Sequence, residues 1–249
     1  MAENKFHSEV IDLPSEGRLY PKDSPLSSGK VELKYMTARE EDILTSANLI
    51  KKGKAIDTLL DSLIISNDFN CNDLVMGDKN AIMVAARVLA YGPEYTCEVT
   101  SPTTGQKVSR AFNLAECPFK KLPKNVKENK FQITLPISKK KITFKILTGK
   151  EEQMIEDELK SSKKLGSSVS PELTTRLRHT IKSINGDTNQ ANINNFANNI
   201  LSRDSLHLRQ EMKKVTPDIE LVQKVEIGGD TVEVDIPMTV GFFWPNIKS

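Results

Sequence analysis

Residues 82–89 read Ile-Met-Val-Ala-Ala-Arg-Val-Leu, and this run constrains the fold more than any other. At helical spacing its apolar side chains cover nearly the whole circumference. A helix of that kind must have neighbours on several sides, so it belongs at the centre of a packed domain. Asp78 stands where an N-cap would, and Gly92-Pro93 supplies the stop, giving a helix to about Ala90. The remaining elements have to be arranged around it.

Upstream, Leu13 to Pro21 holds two prolines and a glycine in nine residues, which forbids a helix and specifies an extended, turned path. Val31, Leu33 and Tyr35 alternate with Glu32 and Lys34, the pattern of a half-buried strand. Thr37 and Glu40 have capping-box spacing, and a helix is expected from there to about Lys52, stopped by Gly53. Ile56, Leu59, Leu60, Leu63 and Ile64 place a second helix. Tyr95 to Val99 and Val108 to Phe112, joined through Ser101-Pro102-Thr103-Thr104-Gly105, read as a β-hairpin. Phe131–Leu135 and Ile142–Leu147 read as another strand pair.

A second helical block follows. Thr148 and Glu151 repeat the capping-box spacing, and the helix runs from acidic to basic, as the macrodipole favours. Ser161 to Ser170 reads as a Ser/Lys/Gly linker. Ser170-Pro171 starts a helix with Leu173, Leu177, Ile181 and Ile184 on one stripe. Residues 185–199 are asparagine-rich but keep an amphipathic period, and one more helix spans about Asp204 to Val215. Ile219–Ile227, Gly228-Gly229 and Thr231–Ile236 form a last hairpin. Pro93 and Pro217 are 124 residues apart, as are Gly105 and Gly229 and also Val108 and Val232. The expected architecture is therefore α+β, mainly helical with antiparallel hairpins, in two related helix-then-hairpin modules, residues 1–147 and 148–249.

Chemistry is harder to find. The chain carries 35 Lys and Arg against 33 Asp and Glu, so its overall charge selects no class of partner. Its three cysteines, Cys71, Cys97 and Cys117, include no CxxC pair and read as free thiols of a reducing compartment. The first ten residues have no apolar core of a signal peptide, and no stretch is long enough to span a bilayer. Cys97, Cys117 and His207 lack the paired spacing of zinc ligands. Asp204 and His207, three apart, read as a surface pair on a helix. Glu40, Glu41 and Asp42 could face a cation, but capping and dipole roles explain the first two more simply. No nucleophile, Gly-rich phosphate loop or HExxH motif occurs. No catalytic residue, cofactor or metal is expected.

What remains points to protein contacts. Lys120, Lys121, Lys139, Lys140 and Lys141 belong to a stretch whose only acid is Glu128. It lacks arginine, and its aromatics fall on strands, which argues against nucleic acid and for an acidic protein partner or a protected sheet edge. Leu13, Pro14, Gly17, Tyr20 and Pro21 form a second candidate contact. Phe242, Phe243 and Trp244 are either core or an aromatic anchor. Core is preferred, because a free tail of that composition would expose a large apolar patch.

The order of four motifs resembles a known family: Leu13-Pro14-Ser15-x-Gly17-x-x-Tyr20-Pro21, Thr37-x-x-Glu40-Glu41, Ala90-Tyr91-Gly92-Pro93 and Phe242-Phe243-Trp244-Pro245. Together they look like the baseplate hub assembly proteins of T-even-type contractile-tailed bacteriophages. The resemblance implies a late viral protein of the host cytoplasm. It would bring hub subunits together in a chaperone-like way, or else remain as a permanent hub subunit. Some members of the wider group of tail factors carry a Cys-Pro-x-Cys-Gly knuckle at the first hairpin tip. Here Ser101 and Thr104 replace both thiols, and hydroxyls do not hold structural zinc.

Overall fold

The computed structural model describes residues 7–101, 104–164, 170–238 and 240–243. It opens with β1 (Ser8–Asp12), antiparallel to β2 (Lys30–Lys34), with Ile11 opposite Val31. The intervening residues 13–29 are tied at their base by Leu13 N–H donating to Gly29 O at 2.8 Å. Gly17 sits at φ +75°, and a Cβ there would lie 2.4 Å from Ser27 O, so only glycine fits.

The expected helix to Lys52 is two helices, α1 (Ala38–Thr45) and α2 (Ala47–Lys51), broken at Ser46, which is extended at φ −63°, ψ 102°. The Thr45 hydroxyl donates to the carbonyls of Glu41 and Asp42 at 3.2 and 3.1 Å, competing with the helix's own ladder at that point. Helix α3 (Ala55–Leu63) buries Ala55, Leu59, Leu60 and Leu63.

Glu40 joins β2, α1 and α3. Its carboxylate is fully buried and accepts from Thr37 N at 3.0 Å, Thr37 Oγ1 at 2.6 Å, Lys34 Nζ at 2.9 Å and Ser62 Oγ at 2.8 Å. Burial alone would raise the carboxyl, but these four donations outweigh it and bring it down to about 2. Because the folded value lies below the unfolded one, the stabilisation is present above about pH 4.5 and disappears as pH falls towards 2. Glu40→Gln is expected to lose roughly 3 kcal/mol at neutral pH, with the difference from wild type vanishing in acid. Urea unfolding at a series of pH values checks it.

Helix α4 (Met76–Tyr91) is the central helix, with Ala81, Ile82, Met83, Val84 and Ala86 buried. Arg87 is only 4% exposed, yet its guanidinium donates to the carbonyls of Phe242, Gly92 and Glu94 at 3.0, 3.1 and 3.4 Å. Three carbonyl partners make its burial tolerable. The helix begins earlier than expected. Val75 is the N-cap and Asp78 lies within the first turn, facing inward.

The chain continues through the hairpin β3 (Glu94–Thr100) and β4 (Lys107–Asn113) to β5 (Phe119–Lys120). Then come β6 (Phe131–Thr134), β7 (Lys141–Phe144), α5 (Gly149–Lys164), α6 (Glu172–Thr180), β8 (Ile181–Ile184), α7 (Gln190–Asn199) and α8 (Ser202–Val215). It closes with β9 (Asp218–Ile219), the hairpin β10 (Val222–Ile227) and β11 (Asp230–Asp235), and a 3-10 turn at Val240–Phe243.

Two pairings decide the topology. Strand β5 pairs with β9, Phe119 opposite Ile219, so residues 121–217 leave and return at one place. Strand β7 pairs with both β6 and β8, so the expected boundary between 147 and 148 runs through one three-stranded sheet. The cores divide accordingly. The first gathers Leu13 through Cys117 together with Ile219, Leu221, Ile236, Phe242 and Phe243. The second gathers Leu122 through Leu208, joined by Leu19 and Val75 from the first lobe. The fold is α+β as expected, but its second lobe is inserted into the first rather than appended to it.

Residues 181–184 are strand where a helix was expected. Ile181 and Ile184 bury their side chains by pairing with Phe144 and Ile142 of β7, a non-local partner that the local period does not reveal. Helix α5 extends to Lys164, so the expected linker begins later, and residues 165–169 lie outside the described ones. The two echoing hairpins are not equivalent in register. The first closes between Thr100 and Lys107, the second on Gly228-Gly229 between Ile227 and Asp230. They pack on each other, Val99 with Val225, Ile227, Val232 and Val234.

Candidate interaction surfaces

Three expected contact regions meet different fates. The Leu13–Pro21 segment is a strap inside the fold. Leu13, Pro14, Ser15 and Gly17 are buried, Tyr20 is half-buried, and Pro21 is exposed. Asp78 holds it. Its carboxylate accepts from Ser15 N at 2.9 Å, Ser15 Oγ at 2.5 Å and Tyr20 Oη at 2.6 Å, while Val75 N–H donates to Tyr20 Oη at 3.0 Å. Burial pushes the Asp78 carboxyl up and the donors only partly reverse it. Burial, with the nearby Asp78, also pushes the Tyr20 phenol up. Arg18 reaches the other lobe, donating to the carbonyls of Pro123, Val126 and Leu122 at 2.9, 3.0 and 3.2 Å. The strap therefore ties both lobes to the start of α4. Its buried residues already contact their own chain and are not a surface of the folded protein.

The sequence offers Asp78 only as an N-cap of its own helix and gives no sign that Arg18 reaches the other lobe. The one available signal is a carboxylate at the start of a helix that is apolar all round. Such a group must find donors or not be buried.

The basic stretch is divided between two places. At the lobe junction, Lys120 is half-buried and donates to Lys213 O, and the exposed Lys121 pairs with Glu16 at 3.5 Å. At the β6–β7 turn, Lys139 is exposed at φ +56°, Lys140 lies 4.9 Å above the Phe196 ring, and Lys141 is exposed at the start of β7. Asp204 shapes this turn, accepting from Ile137 N at 2.8 Å and Ser138 N at 2.9 Å. Burial would raise its carboxyl, but those donations, helped by nearby His207, leave it below the usual range. The expected surface pair of Asp204 with His207 is therefore a correction. Asp204 is fully buried and caps a turn of another element.

Over the three-stranded sheet, Lys130, Lys141 and Lys182 line an open depression of ≈ 770 Å³ with Glu128, Gln132, Thr143 and Asn185. Among the described residues none of these three lysines, nor Lys139, has an ion-pair partner within 4 Å.

Phe242 and Phe243 are fully buried, and Phe242 packs edge-on to Tyr95 at 4.9 Å between centroids. This is the preferred core reading for those two. Trp244 lies outside the described residues, as do Pro102 and Thr103 at the first hairpin tip.

No constellation for covalent chemistry is assembled by the residues considered for it. His179 Nε2 lies 3.3 Å from Glu158 Oε2 on the surface of α6, and His7 packs edge-on to Tyr35. Burial pushes the thiols of Cys71, Cys97 and Cys117 up, away from the reactive thiolate. Among the described residues no group of three or more His, Cys, Asp or Glu is placed to hold a metal ion, and no helix is long and apolar enough to cross a membrane.

A search of the curated proteins and a search of the solved structures returned no match. One family model matches, described as T4 bacteriophage base plate protein, and it spans residues 8–244. That span takes in the strap, both cores and the Phe242-Phe243 tail. The match covers nearly the whole chain, and the chain belongs to the T4 bacteriophage base plate protein family.

Proposed function

We propose that this base plate protein is a non-enzymatic assembly factor for the central hub, binding hub subunits in a chaperone-like way in the host cytoplasm. The observation that carries the reading is the basic face of the inserted lobe, where three lysines line a depression with the single acid Glu128. Lys130, Lys141 and Lys182 gather on one sheet, and Lys139 stands on the adjoining turn. Like charges in excess of their counter-charges repel one another, and an acidic protein surface relieves that repulsion on binding.

Exposed large apolar side chains are spread over many elements, among them Val10 on β1, Ile50 on α2, Met154 on α5, Leu173 on α6, Leu206 on α8 and Val222 on β10. That scatter suits a chain that circulates between partners, where a permanent subunit would present a larger apolar interface. Holding an incomplete hub subunit until its neighbour arrives removes it from aggregation by mass action.

Affinity purification of the tagged chain from infected cells tests the reading. Hub proteins are expected in the eluate. A charge reversal, Lys130→Glu with Lys141→Glu and Lys182→Glu, is expected to reduce their recovery at least about tenfold, the scale of losing one hot-spot contact. Recovery of no baseplate protein by the wild-type chain would sink it.

A further inference from the structure

Strand β1 leaves one edge of its sheet open. The sheet has two strands, β1 and β2. Leu13 N–H donates to Gly29 O and Tyr35 N–H donates to His7 O, and these two bonds fix the parity of the ladder between them. Glu9 and Ile11 turn their N–H and C=O groups towards β2. Those of Ser8, Val10 and Asp12 point the other way, and among the described residues nothing bonds to them. The far side of β2 is closed instead, by Ile65 N–H donating to Glu32 O at 3.1 Å and by the bridge of Leu33 with Ile64.

Nothing guards the open edge. Sheets blunt such edges with lysine, proline or a bulge, whereas β1 reads Ser-Glu-Val-Ile-Asp in unbroken register with β2. At its middle, Val10 is 57% exposed. Glu32 stands opposite Val10, and beyond Glu32 stands Ile65, 41% exposed. The outer face of the sheet thus carries an apolar residue on each side of one acid.

An antiparallel copy of β1, related by a two-fold axis at Val10, fits this edge along its whole length. Val10 meets Val10, Ser8 meets Asp12 and Glu9 meets Ile11, so the open N–H and C=O groups of each copy find partners in the other. The β-branched Val10 side chains pack across the axis. Glu9 and Asp12 are both acids, yet in this register neither faces an acid. Each also keeps a partner in its own copy, Asp12 with Lys30 at 3.3 Å and Glu9 with the Tyr35 hydroxyl at 3.4 Å. A slide by one repeat of the strand either sets Glu9 against Glu9 or leaves Ser8 unpaired, so one register is selected. Pairing also turns a two-stranded sheet, marginal by itself, into a four-stranded one.

We propose that β1 is a self-pairing edge, through which two copies of this chain join as antiparallel strands about a two-fold axis at Val10.

The contact is short, so the dimer is expected to be weak. Analytical ultracentrifugation of the purified full chain is expected to show dimer growing in over about 1–100 μM. Val10→Pro removes an N–H that β2 does not use, which edge strands tolerate, and Val10→Lys sets like charges against each other across the axis. Each is expected to raise the dissociation constant at least about tenfold. Val10 is exposed, so Val10→Lys leaves the fold intact. The register has its own test. Val10→Cys should form an intermolecular disulfide with diamide as oxidant, mapped to position 10 by mass spectrometry. Glu9→Cys, equally exposed but set against Ile11, should not. A wild-type chain that stays monomeric up to about 100 μM would overturn the proposal. A dimer that Val10→Lys leaves unchanged would overturn β1 as the interface, and equal crosslinking by the two cysteine variants would overturn the register. In infected cells, a photo-crosslink from p-benzoylphenylalanine at position 10 to another baseplate protein, with none to a second copy, would overturn the occupant. The purified-chain measurements need no baseplate partner, so their outcome is separate from that of the hub reading.

Discussion

Gly77→Ala is expected to lose about 3 kcal/mol or more of stability, although alanine is the better helix former by about 1 kcal/mol. A Cβ at Gly77 would lie 1.9 Å from Pro217 O, 2.6 Å from Pro217 C and 2.8 Å from Asp218 Cα. All three are backbone atoms, so no side-chain rotation relieves the overlap. Helix α4 cannot shift to make room either, because its first turn is fixed on other sides. Lys79 Nζ donates to Asp57 Oδ1 at 2.6 Å and to Asn72 Oδ1 at 3.0 Å, and Val75 pairs with Thr148. The strand β9 must move instead, and with it the Asn80–Asp218 hydrogen bond at 3.1 Å. Since β9 is where the inserted lobe rejoins the first, the damage falls on the joint between lobes. For a chain of this size the loss corresponds to a fall in Tm of about 6–12 °C. A Tm within about 2 °C of wild type would show that α4 and β9 are not held so closely.

The next position in the chain carries the second large effect. Asp78→Ala removes the acceptor of Ser15 N–H, of the Ser15 hydroxyl and of the Tyr20 hydroxyl in a fully buried site. Each buried donor left unsatisfied costs about 1–3 kcal/mol, and three that share one acceptor do not add, so about 4 kcal/mol is expected. Tyr20→Phe should cost less, about 1–2 kcal/mol, because it strands only Val75 N–H. The pH dependence has a definite sign. Burial raises the folded-state carboxyl above its ordinary 3.8. Its contribution is therefore greatest below that value and declines as pH rises through the folded one, the reverse of Glu40. Comparing urea midpoints of wild type and Asp78→Asn between pH 3 and pH 7 checks this. Because the strap also carries Arg18, whose partners Leu122, Pro123 and Val126 belong to the other lobe, the same variant should open the 121–130 stretch to protease.

Gly77 and Asp78 also show where the sequence could be read and where it could not. The all-round apolar run of α4 announced a central helix, and the helix is central. Prolines and glycines announced the turned path of 13–21 and both long hairpins. Phe242 and Phe243 are in the core because so much apolar area is not left in water. What stayed hidden was non-local. The carboxylate of Asp78 at a helix start looks the same whether it caps its own helix or receives a strap from sixty residues upstream. Ile181 and Ile184 fit a helical stripe and a strand equally well, and only β7 decides. The antiparallel meeting of Phe119 with Ile219 turns an apparent tandem of modules into an insertion, and two-residue strands carry almost no local signal. The asparagine-rich stretch was legible as an amphipathic helix, but its place beside the turn capped by Asp204 came from another part of the chain.

If the chain is a transient factor of hub assembly, quantitative mass spectrometry of purified particles and of baseplate intermediates from the same infected cells tests it most directly. The expected result is co-migration of the chain with hub proteins in the intermediates and its absence from finished particles. A fixed copy number in finished particles would contradict the transient role and make the chain a permanent subunit of the baseplate.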